Sequence, residues 1–498
     1  MQWTQEQLPI IRSNAEKLLI QAGAGSGKTT TLVGYAQQHS NLRILYLCYN
    51  KSVEIAAKGR FPRNVVNKTA HGLAYAVYGT QFSHKQTENL RLTDVARALN
   101  SQDWELVRDV VSTVNNYMAS ADDHIGRNHF PRFRDRPWLT TAQEQYLKRG
   151  LADAQHIWNR MTDLQDSAVQ ITHDGYLKLY QLSKPDLSQR FDCVLLDEAQ
   201  DVNPVIADIV SIQRIRKVAV GDCHQQIYRF RGAEDALSAP WMADAEAHYL
   251  TQSFRFGPAV AHVANIILSF KGETRKLQGL GEVTQVKKAL PEGLPHRTYI
   301  HRTVIGVIEN ALSLVAEKPK IYWVGGINSY SLRALEDLFY FSRERQDLVQ
   351  NKKLLRDYRS YSQYVEIAEV SQDSEMLRSI KIITAYPDLP QRVLALRSCT
   401  SEKELDATIT LTSAHKSKGL EWDFVSLYED FAADLLAPDI DISRRDDELN
   451  LLYVSVTRAM RILAINSLVL SLMEHYVAAL RADAGSSSSI TPSIGGSR

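Results

Sequence analysis

Continuous apolar runs alternate with helix-period stretches along most of this chain, the pattern of parallel β-strands joined by crossover helices. The first run, Leu18 to Ala22, breaks into a glycine-rich turn, after which the chain reads as a helix through Tyr35. LRILYLCYN, Leu42 to Asn50, predicts a fully buried strand with polar residues at its carboxyl end, Asn50 and Lys51. VVNKTAHGLAYAVYG repeats the design, with Thr69 and His71 at the strand end. From about residue 89 to 171 helical periodicity takes over (LTDVARALN, WELVRDVVSTVNNYMA, TAQEQYLKRGLADAQHIWNRM). A basic, aromatic-bearing loop, RNHFPRFRDRPW from Arg127, interrupts it. Strands return in FDCVLLDEAQD, KVAVGDCHQQIYRFRGA and HYLTQSFRFGPAV.

The second half repeats this architecture, with TYIHRT, IYWVGG, ATITLTSAHKSKGLEW, FVSLYED and ILAIN as strands and no glycine-lysine loop. The fold class is α/β, two parallel-sheet lobes with helical insertions. The first lobe takes residues 1–88 and 172–250, with a helical insertion at 89–171. The second takes 251–338 and 405–482, with a short helical insertion at 339–404. The serine-rich end, 483–498, is expected to be disordered.

At 498 residues, 44% apolar and 23% charged, the composition is that of a globular protein with ample core. No apolar run approaches a membrane span, and MQWTQEQLPIIR lacks the basic and apolar regions of a signal peptide, so cytoplasmic placement and no membrane partner are expected. Cys48, Cys193, Cys223 and Cys399 are scattered without C-x-x-C spacing, which argues against disulfides, zinc and iron–sulfur clusters. A net charge of +1 excludes a protein coated in positive charge but not a local basic channel.

The candidate chemistry begins in the first glycine-rich turn. Ala22, Gly23, Ala24, Gly25, Ser26, Gly27, Lys28, Thr29 and Thr30 form a strand–loop–helix phosphate cradle, with Ala22 where the strict pattern has glycine. Glycines let backbone N–H groups curl around phosphate oxygens, and the helix N-terminus adds its positive end. Lys28 would reach the β- and γ-phosphates of ATP, and Thr29 would hold Mg²⁺. The strand of LLDEAQD ends in Asp197, which would complete the Mg²⁺ shell through water, and Glu198, which would polarise the attacking water. Gln225 could sense the γ-phosphate. Gln7 could read an adenine edge, since an amide both donates and accepts; a solvent-facing glutamine fits equally well. Tyr228, Phe230 and Arg231 alternate aromatic with basic, the chemistry of a single-strand platform, with core packing of Phe230 as the rival. Asn50, Lys51, Thr69 and His71 lie where ligands collect in open α/β sheets, although each alone fits a cap or turn. The Arg127 loop fits a grip on nucleic-acid backbone and a solvated surface equally.

AGAGSGKT, LLDEAQD, VGDCHQQIYRFRGA, LTQSFRFG, TSAHKSKGLEWDFV and LLYVSVTRA, in this order, resemble superfamily 1 DNA helicases of the UvrD/Rep/PcrA type. Their wording is similar to the helicase region of F-box DNA helicases, and the resemblance runs from about Trp3 to Ile465. It implies two RecA-like lobes with an ATP site in the cleft between them. It assigns Gln7 to the adenine, Gln225 to coupling the γ-phosphate with the DNA track, and Arg255 and Arg458 to the γ-phosphate. Phe254 falls where the family stacks a tyrosine on adenine, and Glu421 where a glutamate contacts ribose. Thr69, His71, Tyr228, Phe230, Arg231 and His415 fall on positions that track single-stranded DNA. Ala70 replaces a family aromatic, Phe230 a tryptophan, and the second insertion is shorter than in larger relatives.

The resemblance implies an ATP-dependent 3′→5′ single-stranded DNA translocase and helicase of repair or recombination, acting on single strands and tailed or forked duplexes. The alternative is an ATP-switched DNA-binding module, or a motor subunit working with a separate nuclease or recombination protein. A fused nuclease is disfavoured, because no carboxylate-rich cluster follows Arg458. No F-box is expected in the twenty residues ahead of the phosphate loop, and a ubiquitin-ligase role is not expected to carry over. Bacterial, phage or plasmid origin, with nucleoid-associated use, is expected.

Overall fold

Two six-stranded parallel sheets, two short two-stranded ones and the helices between them appear in a computed structural model that describes residues 2–48, 54, 55, 57–229, 232, 234–371, 374–437 and 439–487. The chain divides into two units, one running to Gly23 and then over Gly27–Leu250, the other holding Ala24–Ser26 and everything from Thr251.

The first sheet comprises β1 (Lys17–Ala22), β2 (Ile44–Cys48), β3 (Val65–Thr69), β4 (Cys193–Leu196), β5 (Arg216–Gly221) and β6 (Glu246–Leu250). Its spatial order is β3-β2-β4-β5-β1-β6, and every pairing is parallel. The inner strands β2 and β4 are buried throughout, which is why they read as unbroken apolar runs; the edge strand β3 alternates. Successive residues pack on opposite faces. Ile44, Tyr46, Cys193, Leu195, Val218 and Val220 join one cluster, whereas Leu45, Leu47, Val194, Leu196 and Ala219 join the other. Helices Trp104–Ala119 and Thr141–Thr162 of the insertion bury Val110, Val114, Ile157 and Trp158 in that second cluster. Because β4, β5 and β1 are parallel neighbours, their carboxyl ends lie side by side.

The second sheet comprises β7 (Gln285–Lys287), β8 (Arg297–His301), β9 (Ile321–Trp323), β10 (Ile409–Ser413), β11 (Trp422–Leu427) and β12 (Ala459–Ala464), in the order β7-β12-β11-β8-β10-β9, again all parallel. Helices Leu332–Ser342, Lys352–Asp357, Tyr361–Ser371, Ser374–Ala385 and Leu389–Cys399 separate β9 from β10. The final helix, Ser467–Ser487, is anchored by buried Val469 and Leu472. It carries helical structure to Ser487, into the stretch expected to be disordered from 483; residues 488–498 lie outside the described residues. No helix among the described residues is long and apolar enough to cross a membrane.

Candidate nucleotide and nucleic-acid site

β1 delivers the chain into the glycine-rich loop. Gly25 and Gly27 hold φ of 71° and 77°, the left-handed region that glycine adopts without a Cβ penalty. Gly27 is the N-cap of helix Lys28–Gln38, so the helix's first N–H groups face the loop. Lys28 Nζ lies 3.7 Å from Glu198 Oε1. Thr29 Oγ1 donates to Asp197 Oδ2 at 3.4 Å, and Thr30 Oγ1 accepts from Arg60 at 3.2 Å. Gln7 is buried, which removes the solvent-facing reading: its Nε2 donates to Thr31 Oγ1 at 3.1 Å and its Oε1 accepts the Thr4 N–H at 3.2 Å.

Asp197 and Glu198 end β4. Asp197 is buried, and burial first, then the adjacent Glu198 carboxylate, raise its carboxyl above the usual range, while Tyr46 and Lys28 pull it down. Its Oδ1 accepts the Glu198 N–H at 2.9 Å, and its Oδ2 accepts the Tyr46 hydroxyl as well as Thr29. Glu198 sits in the left-handed region with φ of 53°. The end of β5 supplies Asp222, whose Oδ2 accepts from Gln225 Nε2 at 2.7 Å. Between these two strand ends lies Gln200, which donates to Glu198 and accepts from the Asp222 N–H.

Sequence reasoning missed Tyr46 and Gln200. Tyr46 carries a signal in hindsight, since a tyrosine inside an unbroken apolar strand needs a partner for its hydroxyl. That partner is Asp197, and the Tyr46 ring packs 4.5 Å from Phe61. Gln200 carries no comparable signal, because the second of its two partners, Asp222, follows a separate strand.

A cleft of about 380 Å³ opens at this sheet edge, lined by His71, Asp174, Asp197, Asp201, Asn203 and Tyr228 among others. It brings two residues singled out for DNA, His71 and Tyr228, to the same cavity as Asp197. His71 Nε2 pairs with Asp174 Oδ1 at 3.0 Å. Thr69 caps the helix Ala70–Ala74, accepting the Gly72 N–H at 2.9 Å. Asn50, Lys51, Phe230 and Arg231 lie outside the described residues. The Arg127 loop turns much of its chemistry inward. Phe130 and Phe133 are buried and stacked, Arg132 pairs with Glu105 and Asp109, and Arg127 donates to the carbonyls of Phe133 and Arg136.

In the second unit, Ala24 N–H donates to the Tyr453 hydroxyl at 3.0 Å, and Phe254 N–H donates to Gly25 O at 2.9 Å. A Cβ on Gly25 would meet Ser253 Oγ and Arg255 Cβ at 2.6 Å, so glycine is required there. Phe254 is 47% exposed, enough ring for stacking. Arg255 Nε donates to Glu421 Oε2 at 2.6 Å, which brings two of the expected nucleotide contacts together. Arg458 is buried, donating to the carbonyls of Val454 and Leu420 and to Thr457 Oγ1. His415 lies in the short helix Ala414–Ser417 after β10.

The residues fit a nucleoside triphosphate with a hard cation. Ser26 Oγ is buried without a hydrogen-bond partner, as a hydroxyl in a phosphate loop would be before its ligand. Thr29 and Asp197 offer the oxygen donors that Mg²⁺ prefers.

The UvrD/REP helicase N-terminal domain model matches residues 3–238, and the UvrD-like helicase C-terminal domain model matches residues 144–469. The chain is 34% identical to F-box DNA helicase 1 of Gallus gallus, over 93% of this chain and 49% of that protein. It is 30% identical to F-box DNA helicase protein 1 of Schizosaccharomyces pombe, over 94% of this chain and 58% of that protein. Identity to an ATP-dependent DNA helicase PcrA of Leuconostoc citreum is 25%, over 54% of this chain and 39% of that one. The chain thus spans about half the length of the first two relatives. Those two are eukaryotic and match along nearly the whole chain, which overturns the expected bacterial, phage or plasmid origin and the cytoplasmic, nucleoid-associated placement. Composition and the lack of an apolar span do not separate one aqueous compartment from another.

Proposed function

The chain belongs to the UvrD/REP helicase family of superfamily 1, and from that premise we propose that it is an ATP-driven 3′→5′ translocase on single-stranded DNA. It separates strands or displaces bound protein in DNA repair or recombination. The observation that carries this reading is one cleft shared by Asp197, His71 and Tyr228 at the end of a sheet, with Lys28, Glu198 and Gln225 in the segments that follow its neighbouring strands.

In this reading Lys28 and the N–H groups at the start of helix Lys28–Gln38 bind the phosphates, and Thr29 and Asp197 hold Mg²⁺. Bound there, Mg²⁺ supplies neutralisation of charge developing on the phosphates. Glu198 orients the attacking water and takes its proton. Gln225 reports the γ-phosphate to the Tyr228 segment. Arg255 and Arg458 take the γ-phosphate role and Glu421 the ribose, as at the matching family positions. Gln7 and Phe254 hold the adenine. Asn50, Lys51, Thr69, His71, Tyr228, Phe230, Arg231 and His415 form the DNA track.

Strand separation on 3′-tailed and 5′-tailed duplexes tests the proposal. Unwinding of the 3′-tailed substrate alone is expected. ATP-dependent DNA binding with neither duplex unwound would favour the switched-module reading, in which a nuclease or recombination partner completes the machine.

A further inference from the structure

Gln200 connects two stretches that the proposed function treats separately. Its side chain is fully buried, Nε2 donates to Glu198 Oε2 at 2.5 Å, and Oε1 accepts the Asp222 N–H at 3.0 Å. Its own carbonyl accepts from Gln226 Nε2 at 2.9 Å. Asp222 continues the network, accepting from Gln225 Nε2 at 2.7 Å and from the Gln225 N–H at 2.8 Å. Hydrogen bonds therefore run without a break from Glu198 through Gln200 and Asp222 to Gln225, and the backbone then reaches Tyr228 in the cleft.

The residue types suit this bridge. An amide donates at one end and accepts at the other, so it can join a carboxylate to a backbone N–H; an ionised glutamate in its place could not donate, and a methionine of similar length cannot donate and accepts only weakly. β5 ends in a glycine that leaves room for it: a Cβ on Gly221 would lie 2.3 Å from Gln200 Oε1. Glu198 holds its left-handed backbone next to this contact, and such conformations persist only where the surroundings fix them.

We propose that Gln200 is a positioning residue that ties the water-orienting Glu198 to the Asp222–Tyr228 turn, so that single-stranded DNA against the turn sets the aim of the carboxylate. The inference rests on the proposed function. A base seen 1 Å out of place can cost about a hundredfold in rate, so a small displacement passed along rigid hydrogen bonds is enough to switch turnover.

The test is ATP turnover of the whole chain with and without oligo-dT in wild type, Gln200→Met, Gly221→Ala and the double variant, with melting curves to confirm folding. Gln200→Met should lower DNA-stimulated kcat about tenfold and cut the ratio of stimulated to basal turnover about fivefold or more. Its Kd for a fluorescent ATP analogue and for oligo-dT should stay within about twofold, a split that loss of structure alone would not give. Gly221→Ala, which keeps the amide but displaces it, should show the same signature, and the double variant should be no worse than the poorer single one. A wild-type stimulation ratio in Gln200→Met, or losses that multiply in the double variant, overturns the inference. If Gln200→Met fails to fold, an unchanged ratio in Gly221→Ala overturns it alone. Wild-type turnover that ignores DNA is a different result: it removes the proposed function and the coupling with it.

Discussion

LLDE closes β4 and LYED closes β11, so each sheet has an acidic pair at the carboxyl end of an inner strand. In the first unit, Asp197 lines a cleft and Glu198 faces Lys28 and Gln200. In the second, Asp430 is consumed by the chain around it. It accepts the N–H groups of Arg302 and Thr303 and the Thr303 hydroxyl at 2.7 to 2.9 Å, with Arg378 at 3.7 Å. Glu429 accepts the N–H of Ser467, and Arg302 forks onto Glu448. A Cβ on Gly306 would stand 2.1 Å from Asp430 Oδ2, so the carboxylate packs directly against that glycine. The same strand-end acids meet Lys28 and Thr29 of the loop-and-helix start in one unit, and backbone donors in the other.

Substitutions in the two regions should therefore separate turnover from stability. Lys28→Ala should reduce phosphate release by about a thousandfold or more, the scale on which charge acts in phosphoryl transfer, while oligo-dT affinity by anisotropy stays within about twofold. Wild-type turnover in that variant would sink the assignment of the loop. Asp430→Ala should lose roughly 3 kcal/mol in urea unfolding, because it strands buried donors, yet keep turnover per folded molecule. A stable variant with lost turnover would erase the contrast. Tyr46→Phe removes only the hydroxyl that holds Asp197. It should raise the Mg²⁺ needed for half-maximal turnover about tenfold, with metal-free nucleotide binding unchanged in titration; an unaltered Mg²⁺ requirement would make Tyr46 a packing residue.

The smallest effect concerns His301, buried at the end of β8 between Thr412 O and Asn310, its ring 4.6 Å from Tyr428. Burial holds its imidazole below the ordinary range, with the Asp430 charge opposing and Arg378 reinforcing. The unfolded chain therefore takes the proton first, so this group's contribution is complete above about pH 6.5 and is lost as pH falls through the window below it. Between about pH 7 and about pH 5 the wild-type melting temperature should drop a few degrees more than that of His301→Gln. Equal drops would show that the imidazole titrates freely.

The first sheet was legible because its inner parallel strands β2 and β4 are buried on two faces and read as unbroken apolar runs; the second was legible from shorter, polar-interrupted runs between helical stretches. The glycine loop was legible because its function depends on local spacing. Contacts across strands were not. Tyr46 meets Asp197 only because β2 and β4 are neighbours, and Gln200 meets Asp222 only because β4 and β5 are. The inward contacts of the Arg127 loop were illegible for the same reason. The spacing of its aromatic and basic residues fits a grip on nucleic acid and a solvated surface equally, and does not show that Phe130, Phe133 and Arg132 answer to helices on either side. LYED shows the converse, since nothing in its wording separates a lock from a site.

ATP hydrolysis with and without single-stranded DNA, with Glu198→Gln as the control, tests the account most directly. Strong stimulation by DNA that Glu198→Gln abolishes is the expected result. Hydrolysis indifferent to DNA, or surviving in Glu198→Gln, would contradict it.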